Sequence, residues 1–184
     1  MFLYIILFII PLLLYVYAVQ KRSKTRTKME KMMVSMGGAM LFGLTLGLYI
    51  GGIFHGSFFL SVIVATLLSV LAGMIIGGPH GSLSLMEGIF SGGMAGLMGA
   101  MTAEMLMPQE IRILLLLFIL LTSLASWWVV YYWEAEETSS KLKSFLLNTI
   151  TFFYLIGVAV IFITHPPFEE LPLKAPDHEH IPHH

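Results

Sequence analysis

Residues 84–106 read SLMEGIFSGGMAGLMGAMTAEML. Glycine recurs at every fourth position through Gly88, Gly92 and Gly96, while methionine recurs at Met94, Met98, Met101 and Met105. A helix needs about 20 mostly apolar residues to cross a hydrocarbon core roughly 30 Å thick, and this stretch is long enough. At about 100° of turn per residue, Glu87, Ser91, Met94, Met98, Met101 and Met105 fall within about 80° of one another. The glycine ridge Gly88, Gly92, Gly96 and Gly99 forms the neighbouring face. One surface suits close packing; the other is lined by thioethers and carries a carboxylate.

Five further apolar stretches flank it, at 1–19, 34–54, 58–78, 111–132 and 145–164. The runs are continuous, unlike the alternating segments of roughly 10 residues in an outer-membrane barrel. The 184 residues are 57% hydrophobic and 11% charged, and the mean hydropathy is +0.85. A soluble domain carries about 25% charged residues. That shortfall excludes a water-soluble enzyme, a disordered chain and a nucleic-acid binder. A net charge of −1 gives no general attraction to polyanions. Without cysteine, disulfides, iron–sulfur clusters and thiolate zinc sites are ruled out. The fold class expected is an all-α integral membrane protein. It has six transmembrane helices and a glycine-rich, tightly packed inner bundle made by spans two to four. Residues 1–164 form the membrane domain, whose partner is the lipid bilayer. Residues 165–184 form a flexible, His-rich, proline-rich tail that cannot bury a core.

The first stretch lacks a basic n-region and a small-residue cleavage site, so it reads as an anchor rather than a cleaved signal. Pro11 is placed to kink it. Six basic residues follow it, from Lys21 to Lys31, and Lys141 and Lys143 lie between spans five and six. If both segments are cytoplasmic, eight of the ten basic residues are inside, as the positive-inside rule favours. That places the chain in the cell membrane with both termini extracytoplasmic. Trp127, Trp128, Tyr131, Tyr132 and Trp133 then sit at headgroup level as an aromatic anchor.

Spans two and three repeat the small-residue spacing, in Gly43-x-x-x-Gly47-x-x-x-Gly51 and Gly73-x-x-x-Gly77. Small residues four apart let helix backbones approach closely in lipid. The contact they make is within the chain, with a second copy, or with a partner membrane protein. Spans two and four also share a short likeness, Ser35-Met36-Gly37-Gly38-Ala39-Met40 beside Ser91-Gly92-Gly93-Met94-Ala95-Gly96, compatible with a parallel duplication.

Eleven of the thirteen methionines fall in two clusters, Met29 to Met40 and Met86 to Met107. On span two, Met29, Met32, Met36 and Met40 share a face that continues into Gly43, Gly47 and Gly51. The ordinary role of such methionines is to fill irregular gaps in a core. The sharper one is soft-metal contact, since a thioether favours Cu(I) over hard cations. The Met36/Met40 and Met94/Met98 pairs, with the glycines above, locally resemble the M-x-x-x-M element and G-x-x-x-G helix of the eukaryotic copper transporter family. That family has three spans against six read here, so the likeness is one of local chemistry.

Glu87 and Glu104 lie near opposite ends of span four, each close enough to an interface to reach water, and either would bind an ion or carry a proton. His55 and His80 fall on opposite sides of the membrane and read as loop histidines. The tail ends Asp177-His178-Glu179-His180-Ile181-Pro182-His183-His184, a loose metal-binding segment. The function expected is binding or transport of a soft or borderline metal ion, most plainly Cu(I). His178, His180, His183 and His184 would collect it. Glu104, Met105, Met101, Met98 and Met94 would line a path, with Met40 and Met36 at its other end and Glu87 on the same face. Copper is the one ion implied, as cargo. The alternative is a non-catalytic membrane scaffold that uses its glycine ridges to pack helices. No convergent nucleophile or acid–base set supports an enzyme.

Overall fold

The computed structural model describes residues 2–21, 27–135, 154, 156, 157 and 160. Five α-helices follow one another: α1 (Phe2–Lys21), α2 (Lys28–Ile53), α3 (Phe58–Gly77), α4 (Ser82–Met105) and α5 (Pro108–Ala135). Of the expected sixth span, 145–164, only residues 154, 156, 157 and 160 are described, each helical; the tail, Lys141 and Lys143 lie outside the described residues. Of the described helices, three are long and apolar enough to cross a membrane: α2, the segment Phe58–His80, and Pro108–Val129 within α5. The fold is all-helical, and these three helices are compatible with a membrane protein. α4 is not among the three despite its length. Its glycines, serines and two glutamates dilute its apolar character.

Local chemistry sets the helix ends. α2 begins six residues before the expected span because Thr27 and Glu30 form a capping box. Glu30 N–H donates to Thr27 Oγ1 (3.3 Å), and Thr27 N–H donates to Glu30 Oε2 (3.2 Å), satisfying two donors that the first turn leaves free. α1 runs through Pro11. Gly56 (φ 96°) turns the chain from α2 into α3, and Gly81 (φ 110°) turns it from the Gly78–His80 3₁₀ turn into α4; both need the left-handed region that glycine enters freely. α5 starts on Pro108, whose missing N–H costs nothing at the first helical position.

α2, α3 and α4 pack against one another, and each meets its neighbours through five small residues spaced four apart. On α2 these are Ser35, Ala39, Gly43, Gly47 and Gly51, all buried. On α3 they are Ser61, Ala65, Ser69, Gly73 and Gly77. On α4 they are Ser84, Gly88, Gly92, Gly96 and Ala100. Backbone lies against backbone along these rows. A Cβ at Gly43 would stand 2.8 Å from the carbonyl oxygen of Gly92, and one at Gly92 would stand 2.6 Å from that of Ser69. At Gly47 it would strike the Gly96 carbonyl, and at Gly73 the Gly88 carbonyl.

The pairs fix direction and register. Gly43 meets Gly92, Gly47 meets Gly96 and Gly51 meets Ala100, so α2 and α4 run parallel. Gly73 meets Gly88 and Gly77 meets Ser84, so α3 and α4 run antiparallel. Ser35 Oγ–H donates to the Ser84 carbonyl (2.9 Å) across 49 positions of sequence, the same offset as the glycine pairs. Ser69 Oγ–H donates to the Gly43 carbonyl (3.3 Å), tying α3 to α2. The hexapeptide likeness pairs Ser35 with Ser91 in sequence; in space Ser35 stands beside Ser84, two turns earlier on α4. The likeness is therefore not the alignment in which the helices meet.

α1 and α5 complete the described fold on the remaining side of α2. Tyr15 of α1 fills the notch at Gly38, where a Cβ would lie 2.5 Å from its hydroxyl oxygen, and its O–H donates to the Val34 carbonyl (2.6 Å). Phe8 and Tyr15 meet Phe42 edge to face. Leu48 and Ala103 pack with Ile111, Leu115 and Ile119 of α5. The buried hydroxyls of Thr122, Ser123 and Ser126 bond back to carbonyls of their own helix, which satisfies them without a partner element.

Gly96→Ala should therefore destabilise the protein by about 1–3 kcal/mol or more, the usual cost of overpacking a filled site. Gly37, with nothing within 4 Å of an added Cβ, should accept alanine with no loss, or gain up to about 1 kcal/mol of helix preference. Equilibrium unfolding of the two variants in mixed micelles checks this; equal midpoints would contradict the packing.

Candidate functional site: the methionine face of α4

The small-residue row of α4 is consumed by α2 and α3, which leaves the opposite side of the helix uncovered. Met94, Met98, Met101 and Met105 lie there, at 70%, 60%, 38% and 85% exposure. Their mean direction is roughly 150° from that of Gly88, Gly92, Gly96 and Gly99 at about 100° per residue. The methionine face and the glycine ridge are thus on opposite sides of α4, not neighbouring as the sequence suggested. Helical spacing alone sets that angle and corrects the neighbouring placement; α2 and α3 both dock on the glycine side of α4, and no described helix covers the other.

The methionines do not fill core gaps either. Of those described, Met32 is half-buried, the rest are exposed, and none is buried. The core is built from Ala, Leu, Ile, Phe and Tyr. The exposed positions on α3 and α5 differ from those on α4. α3 exposes Phe59, Leu67, Leu71 and Ile75 with a single methionine, Met74, and α5 exposes Ile113, Leu117, Leu121 and Leu124 with none. α4 places Phe90 and Leu97 beside its thioethers, but the strip between Met94 and Met105 is dominated by sulfur.

The other expected site residues divide by position. Met36 and Met40 are exposed on α2. Because Gly43 lies opposite Gly92, they stand beside the first half of α4, below the Met94–Met105 strip. Glu87 is half-buried in the second turn of α4, and its carbonyl accepts the hydroxyl of Ser91. Glu104 is half-buried at the far end, about 25 Å from Glu87 along the axis at roughly 1.5 Å per residue. The two carboxylates therefore do not form one site. His178, His180, His183 and His184 lie outside the described residues.

Two contacts join residues that the sequence left apart. Gly56 N–H donates to Glu104 Oε2 (3.2 Å), and His55 Nε2 lies 3.3 Å from the Leu106 carbonyl oxygen. The loop after α2 is thereby tied to the end of α4. Nothing in the local sequence of either segment signals this; it follows from the parallel register of the two helices. Among the described residues, no group of three or more His, Asp or Glu is arranged to hold a metal ion. The donors that α4 offers in number are thioethers, which suit soft cations. At the other end of α5, Trp127 stacks on Tyr131 (5.4 Å) and Trp128 is exposed, an arrangement suited to an interface between apolar and wet surroundings.

Comparison with protein-family models, with curated proteins and with solved structures finds no match to this chain.

Leucine conserves methionine's volume, and exposed positions away from packed features shift stability by about 0.5 kcal/mol or less. The triple variant Met94→Leu/Met98→Leu/Met101→Leu should unfold with the parent's midpoint. A large loss would place these side chains inside a packed contact.

Proposed function

We propose that the protein handles a soft metal ion, Cu(I), at the thioether face of α4, in the cell membrane, with the packed small-residue core as its rigid support. The observation that supports this reading most is the segregation of methionine. Sulfur is kept out of the core and gathered on the exposed faces of α4 and of the first half of α2, while α3 exposes one methionine, Met74, among leucine, isoleucine and phenylalanine, and α5 exposes none. Apolar surroundings alone would be served equally well by leucine. Sulfurs one turn apart offer successive weak sites along a helix, which suits stepwise passage of a soft cation. In this reading six spans cross the membrane, both termini are extracytoplasmic, and His178, His180, His183 and His184 collect the ion there.

A second reading, assembly without metal, is favoured by a different observation. The glycine ridges are occupied within the chain, so a second copy or a partner membrane protein would meet an exposed face, and the methionine strip is one. Methionine adapts readily to varied partner surfaces.

Cu(I) competition titration of the purified, detergent-solubilised protein separates the two. The soft-metal reading expects tight binding that is lost in the Met94→Leu/Met98→Leu/Met101→Leu variant while folding is retained. Equal Cu(I) affinity in parent and variant, or none in either, would leave assembly as the function.

A further inference from the structure

We infer that the ends of α2 and α4 form a copper-capture site in which the His55 imidazole and the Glu104 carboxylate bind the ion next to the thioethers of Met101 and Met105. The two residues are brought near each other by the ties of Gly56 to Glu104 and of His55 to Leu106, and their place at the head of the methionine strip rests on the soft-metal reading above.

The first support is the histidine's tautomer. A carbonyl oxygen only accepts, so the contact between His55 Nε2 and the Leu106 carbonyl at 3.3 Å requires Nε2 to carry the proton. In the neutral ring, Nδ1 then holds a free lone pair. Metal-binding histidines characteristically donate their other ring N–H to a backbone carbonyl or carboxylate, which fixes the ring and raises its basicity. His55 is exposed, so an ion arriving from water reaches it.

The second support is the carboxylate. Glu104 Oε2 accepts from Gly56 N–H at 3.2 Å, and this holds the group against the residue that follows His55. Its Oε1 is buried and has no hydrogen-bond partner among the described residues. A buried acceptor without a partner is costly, and a buried polar group left unsatisfied calls for a physical reason, an ion among them. A cation held by Glu104 together with His55 would supply one.

The third support is the company that Glu104 keeps. Met101 lies three residues before it, on the adjoining part of the helix surface, and Met105 follows it at 85% exposure. Imidazole nitrogen, carboxylate oxygen and thioether sulfur together suit copper better than a hard cation such as calcium or magnesium. Residues 55 and 104 are joined only by the fold, through the parallel register of α2 and α4 that the glycine pairs set.

The test uses full-length protein in which His178, His180, His183 and His184 are replaced by alanine, so that the tail contributes no ligand. Cu(I) is titrated against a competing chelator under reducing conditions, and X-ray absorption counts nitrogen and oxygen neighbours of the bound ion. Glu104→Gln keeps an oxygen to accept from Gly56 N–H, and His55→Gln keeps a donor for the Leu106 carbonyl, so both preserve the structural ties. Loss of a group that merely orients a ligand weakens metal binding by about 10–100-fold. Each variant should therefore bind Cu(I) at least about tenfold more weakly, with fewer light-atom neighbours and an unchanged thermal midpoint. Affinity and neighbour count equal to the parent in both variants would overturn the site. Met94→Leu/Met98→Leu separates it from the broader reading. If only that variant loses copper, the methionine strip stands and the capture site falls. If only the Glu104 and His55 variants lose it, the capture site stands and the onward route falls. A parent that binds no Cu(I) overturns both.

Discussion

The backbone of α4 lies against the backbones of α2 and α3 at van der Waals distance, and the rest of the arrangement depends on that approach. It requires positions where a Cβ is absent or is the only side-chain carbon. Where Gly47 faces Gly96 and Gly73 faces Gly88, even one methyl group would overlap a carbonyl oxygen. In apolar surroundings there is little hydrophobic drive between helices, so dispersion and a few interhelical hydrogen bonds must suffice. The hydroxyls of Ser35 and Ser69, donated to carbonyls on a neighbouring helix, add polar ties of the kind worth about 0.6 kcal/mol each on average. Their larger effect is on register. A slip by one residue would carry a bulky side chain into the row and leave the hydroxyls without acceptors.

Fixing that side of α4 also fixes what the opposite side presents. A helix committed on one face to two neighbours has a complementary face whose composition is free of packing constraints, and here it carries methionine. The parallel run of α2 and α4 brings the loop at His55 to the end of the thioether strip, where Glu104 holds it. Packing, methionine exposure and the polar tie at Gly56 are thus consequences of one register. The α1–α5 side is built differently, from aromatic and branched side chains around Tyr15, Phe42, Leu48 and Leu115.

Helical class was legible from continuous apolar runs, and each described helix overlaps the stretch expected for it. The helix starts were less legible where a cap, rather than hydropathy, sets them: Thr27 with Glu30 starts α2 six residues before the apolar stretch. Small-residue spacing on α2 and α4 is visible when only glycine is counted. On α3 glycine shows only the end of the row, Gly73 and Gly77, because Ser61, Ala65 and Ser69 do the same work with a short side chain. Counting serine and alanine would have revealed it. The methionine stripe was legible as a stripe, since helical periodicity needs only spacing. Its angle to the glycine ridge was legible from the same spacing, which sets the two about 150° apart. The tie between residues 55–56 and 104–106 had no local signal at all, and the tail histidines fall outside the described residues.

The chain contains no cysteine, so paired cysteines introduced into it report register without background. Ser35→Cys/Ser84→Cys and Ser35→Cys/Ser91→Cys, oxidised in the membrane and resolved by electrophoresis after cleavage between α2 and α4, measure it most directly. The account predicts an efficient intrachain disulfide in the first pair and none in the second, since only Ser84 stands within hydrogen-bond reach of Ser35. A disulfide in the second pair and none in the first would place α4 two turns out of the register described, and with it the methionine strip and the Glu104 end of the helix.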